Sequence, residues 1–246
     1  RVWVCVVGDV AAGWRQTLES YGAEVRVVRP FDRRNPSANK LQFLSAALGS
    51  GAGTLVLFDC DMVVVRDPLP LFRGGALQAK IADVPSVTHE TFERLFRHYG
   101  LALPERRYRT TLLPVPTIPY CNSAMVVLPA GLAREFVPVW RDYNARILES
   151  LDLLGSCAHH CHQASLSLAL AACPIPFDEA PPALNFPLHL THIPPSRELL
   201  ASDPAILHYH QMVDDEGYLL PSRYPRAQAR IEAFNRRLQE ERERRP

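Results

Sequence analysis

The sequence predicts an α/β protein with a mixed, mostly parallel sheet flanked by helices. Three observations predict it. Continuous β-branched apolar runs mark buried strands, and these runs alternate with segments of helical spacing, the arrangement of strand–helix–strand units. Gly- and Pro-containing breakers separate the segments. With 246 residues and 47% apolar content, the chain is long enough to bury a sizeable core.

Residues 2–7 form the first apolar run and stop at Gly8-Asp9, a strand followed by a tight turn. A helix is expected over 14–21 and a second strand over 24–28, before Pro30. Residues 39–48 have helical spacing, with Leu41, Leu44, Ala47 and Leu48 on one side, and end at the breaker Gly49-Ser50-Gly51. Strands follow over 54–58 and 62–65, then a turn at Asp67-Pro68. The stretch 85–119 has a helical segment at 90–99 and then a connection rich in proline and arginine, with Arg106, Arg107 and Arg109. It reads either as a lid over a site, where the arginines would suit an anionic acceptor, or as a surface excursion.

Tyr120-Cys121-Asn122-Ser123 leads into a strand over 124–128, and two helices follow over 132–150 and 162–172. Residues 174–195 are proline-rich and read as irregular; residues 204–210 read as a short strand with His208 and His210 on one face. Beyond Pro225 the chain is rich in Arg and Glu, with Ile231, Phe234 and Leu238 at helical spacing. The domain reading is therefore one domain over 1–225 and a charged C-terminal helix over 226–246, packed on it or extending from it.

Net charge is +1, which argues against a general nucleic-acid binder. No apolar run reaches the roughly 18 residues of a membrane span, and no signal peptide opens the sequence, so the expected location is cytoplasmic. The six cysteines lack the dense framework of a small secreted scaffold and are expected to be reduced. Cys157-Ala158-His159-His160-Cys161-His162 has zinc-ligand chemistry, yet it also reads as a helix start lining a pocket. Of 27 basic residues only Lys40 and Lys80 are lysine, the mark of a GC-rich, bacterial-like composition. Both flank the 54–58 strand. Lysine pairs with phosphate as a point charge, which makes Lys40 a candidate diphosphate or sugar contact.

The 54–58 strand runs into Asp59-Cys60-Asp61. In an extended chain the two carboxylates share a face with Cα atoms about 6.5 Å apart, near enough to serve one hard cation such as Mg²⁺ or Mn²⁺, while Cys60 faces away. The plainer reading has Asp59 capping a turn and Asp61 solvated. Asn122, at a strand edge, is placed either to bond hydroxyls or to shape a turn. His208 and His210 read as hydrogen-bonded pocket residues or as imidazole partners of the carboxylates.

Taken in order, Gly8-Asp9, Lys40, Phe58-Asp59-Cys60-Asp61 with Val63 to Pro68, Tyr120 to Ala124, Gln163 and His208 resemble the nucleotide-sugar glycosyltransferases of the GT-A fold, in particular the glycogenin-like family 8 group, over residues 2–220. The resemblance implies a GT-A-like domain over 1–225 that moves a sugar from a nucleotide sugar, a UDP-sugar above all, to a hydroxyl acceptor with retention. A homodimer is compatible with it. It implies Mn²⁺ (or Mg²⁺) on Asp59, Asp61 and His208, and a catalytic group of Asp61, Asn122 and Gln163. Donor contacts are implied for Gly8, Asp9, Lys40, Asp59, Cys60, Asp61, Ser123 and His162. Two departures stand out: His162 occupies the place of the usual aspartate before Gln163, and Tyr209-His210-Gln211 replaces the usual Gly and Lys-Pro-Trp residues.

Three other classes compete with this reading. A sugar nucleotidyltransferase would carry a basic Gly-rich loop after the first strand, and residues 8–13 have no basic residue. A glycoside hydrolase needs carboxylates set across a sugar ring, for which Asp59 and Asp61 are too close. A non-catalytic metal- or nucleotide-binding relative would release no nucleoside diphosphate.

Overall fold

The structure, a computed structural model, describes residues 1–244, so the last two residues of the expected terminal helix lie outside it. The chain opens with β1 (Val2–Val7), α1 (Ala12–Ser20) and β2 (Ala23–Val28), followed by α2 (Lys40–Ala47), β3 (Thr54–Phe58), β4 (Met62–Val64), β5 (Leu77–Ile81) and α3 (His89–His98). Two short strands, β6 (Tyr108–Arg109) and β7 (Pro116–Thr117), lead to β8 (Cys121–Pro129), α4 (Ala130–Leu148) and α5 (Cys161–Ala172). Then come β9 (Phe177–Glu179), β10 (Phe186–Pro187), α6 (Arg197–Ala201), β11 (Ile206–His208) and α7 (Pro225–Arg244).

β8 organises the core. Its side chains alternate, so Val126 and Leu128 join a large cluster with Leu55 and Leu57 of β3, Ile81 of β5, Leu41 of α2 and Phe136 and Trp140 of α4. Met125 and Val127 point the other way, into a smaller cluster with Leu184 and Ile206. The sheet thus has helices on one face and the late chain on the other.

The mixed α/β class stands, with a smaller parallel share in the pairing than the strand–helix alternation suggests. The central sheet runs β3-β8-β5-β9; β3 and β5 are antiparallel to β8, and β9 is parallel to β5. β1 and β2 pair in parallel with each other as a separate unit. The helix between them buries no residue, and its Trp14 is 69% exposed. Both edges of β8 are already taken by β3 and β5.

A second sheet, β10-β11-β4, carries the late chain to the end of β3. β11 runs antiparallel to β4 in a register that sets His208 opposite Met62. The far side of β11 packs under α7, where Leu207, Phe186 and Tyr224 meet Ala227 and Ile231. A two-pronged ion pair fixes α7 there, with Arg230 Nε and Nη2 at 3.0 and 2.7 Å from the Asp203 carboxylate.

The arginine-rich connection is more than a surface excursion. Arg107 pairs with Glu105 in solvent, and Arg109 donates to the Pro114 carbonyl. Just after Arg109, Thr111 and Leu112 are buried, and their N–H groups donate to the carbonyls of Ala82 and Asp83 just beyond β5. The segment finds core because these backbone donors have carbonyl partners there.

Candidate active site

The Asp59-Cys60-Asp61 segment is not extended. β3 ends at Phe58, the Asp59 N–H donates to the Ala124 carbonyl at 2.8 Å, and the chain turns over residues 60–61. Strand alternation therefore does not govern the two carboxylates, and they take different partners. Asp59 is held by Lys40, whose Nζ lies 2.8 Å from Oδ1 and 3.0 Å from Oδ2 and also donates to the Ser123 carbonyl at 3.2 Å. Lys40 is only 6% exposed. A buried ammonium needs a counter-charge close by, and Asp59 supplies it, so Lys40 is an internal partner of the carboxylate.

Asp61 turns toward the late chain. The Tyr209 N–H donates to the Asp61 carbonyl at 3.0 Å, which extends the β11–β4 contact and brings His208 Nε2 within 3.3 Å of Asp61 Oδ2. His210 Nδ1 is also 3.3 Å from that oxygen. Two residues past His208, the chain reaches this position through a left-handed backbone at His210, φ 49°. Donation from His208, together with the charges of both histidines, holds the Asp61 carboxyl down to about 2 against its partial burial. Among the described residues, Asp61, His208 and His210 are the only group of three such side chains whose ligand atoms gather within 4.8 Å. This group differs from the expected metal set in containing His210 and not Asp59.

Two neighbours support this cluster. Asn185 Oδ1 lies 3.0 Å from His208 Nδ1. The His189 ring packs 3.7 Å, centroid to centroid, from that of His210. Burial and the adjoining His210 pull His189 down to about 4. Sequence reasoning missed both residues, which lie in the stretch read as irregular; a polar residue between two leucines at 188–190 was the only signal.

A second buried network, also missed, adjoins the first. Lys80 is fully buried and ion-paired to Asp83, which accepts from Thr111 Oγ1 at 2.7 Å and from Asn122 Nδ2 at 3.4 Å. Burial, the largest influence, would raise the Asp83 carboxyl, but the Lys80 charge together with the hydrogen bonds from Lys80 and Thr111 brings it below its ordinary value. Asn122 Oδ1 also accepts from the Ala124 N–H at 3.0 Å, so its amide is fixed at both ends. Lys80's rarity as one of two lysines was the available clue.

The remaining expected residues fall in two groups. His162 sits in the first turn of α5, buried, with Nδ1 lacking a partner; its carbonyl accepts from Trp140 Nε1 at 3.2 Å. Burial, then the Lys40 charge, drives its pKa well below the usual histidine value. Ser123 Oγ is likewise buried and unpartnered, and no hydrogen bond engages the half-buried Gln163 amide among the described residues. By contrast, Gly8 and Asp9 are exposed at the end of β1, and no hydrogen bond or ion pair ties them to Asp59 or Asp61. Cys60 is exposed, its carbonyl accepting from Tyr209 Oη at 3.2 Å. The zinc-like stretch does not converge: Cys157 Sγ donates to the Ser86 carbonyl, while Cys161 Sγ accepts from Asn35.

In sequence, residues 8–173 match the Rhodobacterales glycosyltransferase domain. The chain belongs to this family. It is a glycosyltransferase. No curated protein matches it in sequence. Among solved structures, galactosyltransferase LgtC in complex with donor and acceptor sugar analogs aligns with a TM-score of 0.50 at 14% identity, over 85% of this chain and 73% of that one. Mouse xyloside xylosyltransferase 1 in its apo form aligns at 0.48 and 14% identity, over 85% and 84%. GlyE of Streptococcus pneumoniae TIGR4 aligns at 0.49 and 13%, over 92% of this chain and 52% of its own. The likeness to LgtC agrees with a GT-A fold for this glycosyltransferase. The family match takes in Lys40, Asp61, Asp83, Asn122 and Gln163 but stops before His189, His208 and His210. No described helix of this glycosyltransferase is long and apolar enough to cross a membrane.

Proposed function

We propose that this glycosyltransferase moves a sugar from a nucleoside-diphosphate donor, a UDP-sugar first among candidates, to a hydroxyl acceptor, in a cation-dependent reaction with retention of configuration like that of the glycogenin-like family 8 enzymes. The observation that carries the reading is the convergence of Asp61, His208 and His210 where β3 and β11 meet. One carboxylate oxygen and two imidazole nitrogens fit a divalent cation, and His210 Nε2 is a buried nitrogen without a partner. When bound, such an ion supplies neutralisation of the charge that develops on a departing diphosphate.

The chain's own groups account for the rest. Asn122, fixed by Asp83 and the Ala124 N–H, offers a preorganised amide to the transferring sugar or the acceptor. Gln163 offers a second, unengaged amide at the start of α5. The orphaned His162 Nδ1 and Ser123 Oγ, lining the same region as Lys40, gain partners when sugar hydroxyls enter. Gly8 and Asp9 are proposed to meet the nucleotide base, and Cys60 the donor edge.

The test is nucleoside diphosphate release from UDP-, GDP- and TDP-sugars, with Mn²⁺, Mg²⁺ or EDTA. Release from one donor class, abolished by EDTA and cut about 100-fold or more by Asp61→Asn, is the expected result. Cation-independent release, or none across the panel, overturns the reading.

A further inference from the structure

The donor set at Asp61 is rich in nitrogen, and the residue that would make it rich in oxygen is tied up elsewhere. Both Asp59 oxygens sit on the Lys40 ammonium, at 2.8 and 3.0 Å. A cation bridging Asp59 and Asp61 would have to break that pair and then stand beside a buried positive charge. On the other side Asp61 Oδ2 faces His208 Nε2 and His210 Nδ1 at 3.3 Å each. Asn185 Oδ1 lies 3.0 Å from His208 Nδ1 and orients the ring so that Nε2 points at the carboxylate. One carboxylate oxygen thus faces two imidazole nitrogens, a donor set that a divalent cation can gather. An outer carbonyl holding the far nitrogen of a ligating histidine is the usual support of a metal-bound imidazole.

The backbone points to the same place. Among the described residues other than glycine, only Leu190 and His210 have positive φ, 61° and 49°. One directly follows His189, and the other is His210 itself. Left-handed backbone at a non-glycine residue persists where its surroundings hold it, and here both cases adjoin the edge-on His189 and His210 rings.

Building on the transferase site above, we propose that the ion is held by a two-histidine, one-carboxylate set, Asp61, His208 and His210, with Asp59 withheld by Lys40. Such a site selects a borderline transition ion over Mg²⁺ and keeps it without nucleotide. Imidazole suits Zn²⁺, Co²⁺ and Fe²⁺, whereas Mg²⁺ prefers an octahedron of oxygens and gives up its waters reluctantly. Affinities should rise from Mn²⁺ through Co²⁺ to Zn²⁺.

The experiment is calorimetric titration of the EDTA-stripped protein with Zn²⁺, Co²⁺, Mn²⁺ and Mg²⁺ without nucleotide, together with the visible spectrum of the Co²⁺ adduct. The expected result is one ion per chain, no binding heat from Mg²⁺, and Zn²⁺ tighter than Mn²⁺ by about 100-fold. His210→Ala should weaken Zn²⁺ by about 10- to 100-fold and alter the Co²⁺ spectrum. Asp59→Asn should change it by less than about threefold. Because Asp59→Asn strands the Lys40 ammonium, the Lys40→Met/Asp59→Asn double variant is titrated beside it and should bind Zn²⁺ as the parent does. Equal losses at Asp59 and His210, or Mg²⁺ binding as tightly as Mn²⁺, overturn the inference. Donor cleavage is read separately. Ion binding in the expected pattern without nucleoside diphosphate release overturns the transferase-site reading alone; Mg²⁺-supported release with no nucleotide-free ion binding overturns the ion inference alone.

Discussion

Lys40 closes on both carboxylate oxygens of Asp59 from the first turn of α2, 19 residues earlier in the chain. The pair neutralises a buried ammonium and keeps Asp59 away from Asp61. Lys40→Met should therefore have two effects. Stability should fall by about 1 kcal/mol, less than for a fully buried pair because Asp59, at 31% side-chain exposure, can turn to water. Affinity for Mn²⁺ and Mg²⁺ should rise as the freed carboxylate joins Asp61. Urea unfolding and metal titration of this variant check both, and unchanged Mg²⁺ binding would show that Lys40 is not what withholds Asp59.

Acid should destabilise the protein through two neighbouring histidines. His160 is brought down to about 4 by burial and by His159, and His162 is driven well below its ordinary value by burial and then by the Lys40 charge. The unfolded chain takes up a proton at each near its ordinary value of about 6.5, and the folded chain does so only at lower pH. The stability these groups provide is thus complete above about pH 6.5 and is lost as pH falls toward about 4. Urea unfolding at stepped pH should show the decline, and His162→Gln should flatten it. A wild-type curve with no change between about pH 7 and 5 would contradict the assignment.

Trp140 ties α4 to the start of α5, its Nε1 donating to the His162 carbonyl at 3.2 Å and to Ser165 Oγ at 3.1 Å. The side chain is fully buried. Trp140→Phe keeps an aromatic ring but removes the donor and some volume, so a loss of about 2–3 kcal/mol is expected in urea unfolding. If the loss is under about 0.5 kcal/mol, the bond does not hold the two helices in register.

Cys157 and Cys161 direct their sulfurs to separate partners, Ser86 and Asn35. A Cys157→Ser/Cys161→Ala variant should bind the same number of zinc ions as the parent, as measured by metal analysis after dialysis. Loss of an ion would restore the zinc reading of residues 157–162.

Strands and helices were readable from the sequence because each rests on side-chain spacing within a few residues. The run at 54–58 is β3 to the residue, Leu41 and Leu44 mark the buried side of α2, and Ile231 marks that of α7. The order of Asp59, Asp61, Asn122, Gln163 and His208 likewise stood in the sequence, and it pointed to a sugar-transfer enzyme. Which side chains meet was decided only in the folded chain. Alternation put Asp59 and Asp61 on one face, but the chain turns after Phe58, and a buried ammonium claimed the first carboxylate. Asp61 found His208 across 147 positions because the β11–β4 register sets His208 opposite Met62. His210 followed through a left-handed turn that no periodicity marks. Local spacing carries elements, whereas the choice of partner depends on strand register and on competition among buried charges, and both arise only when distant parts of the chain pack together.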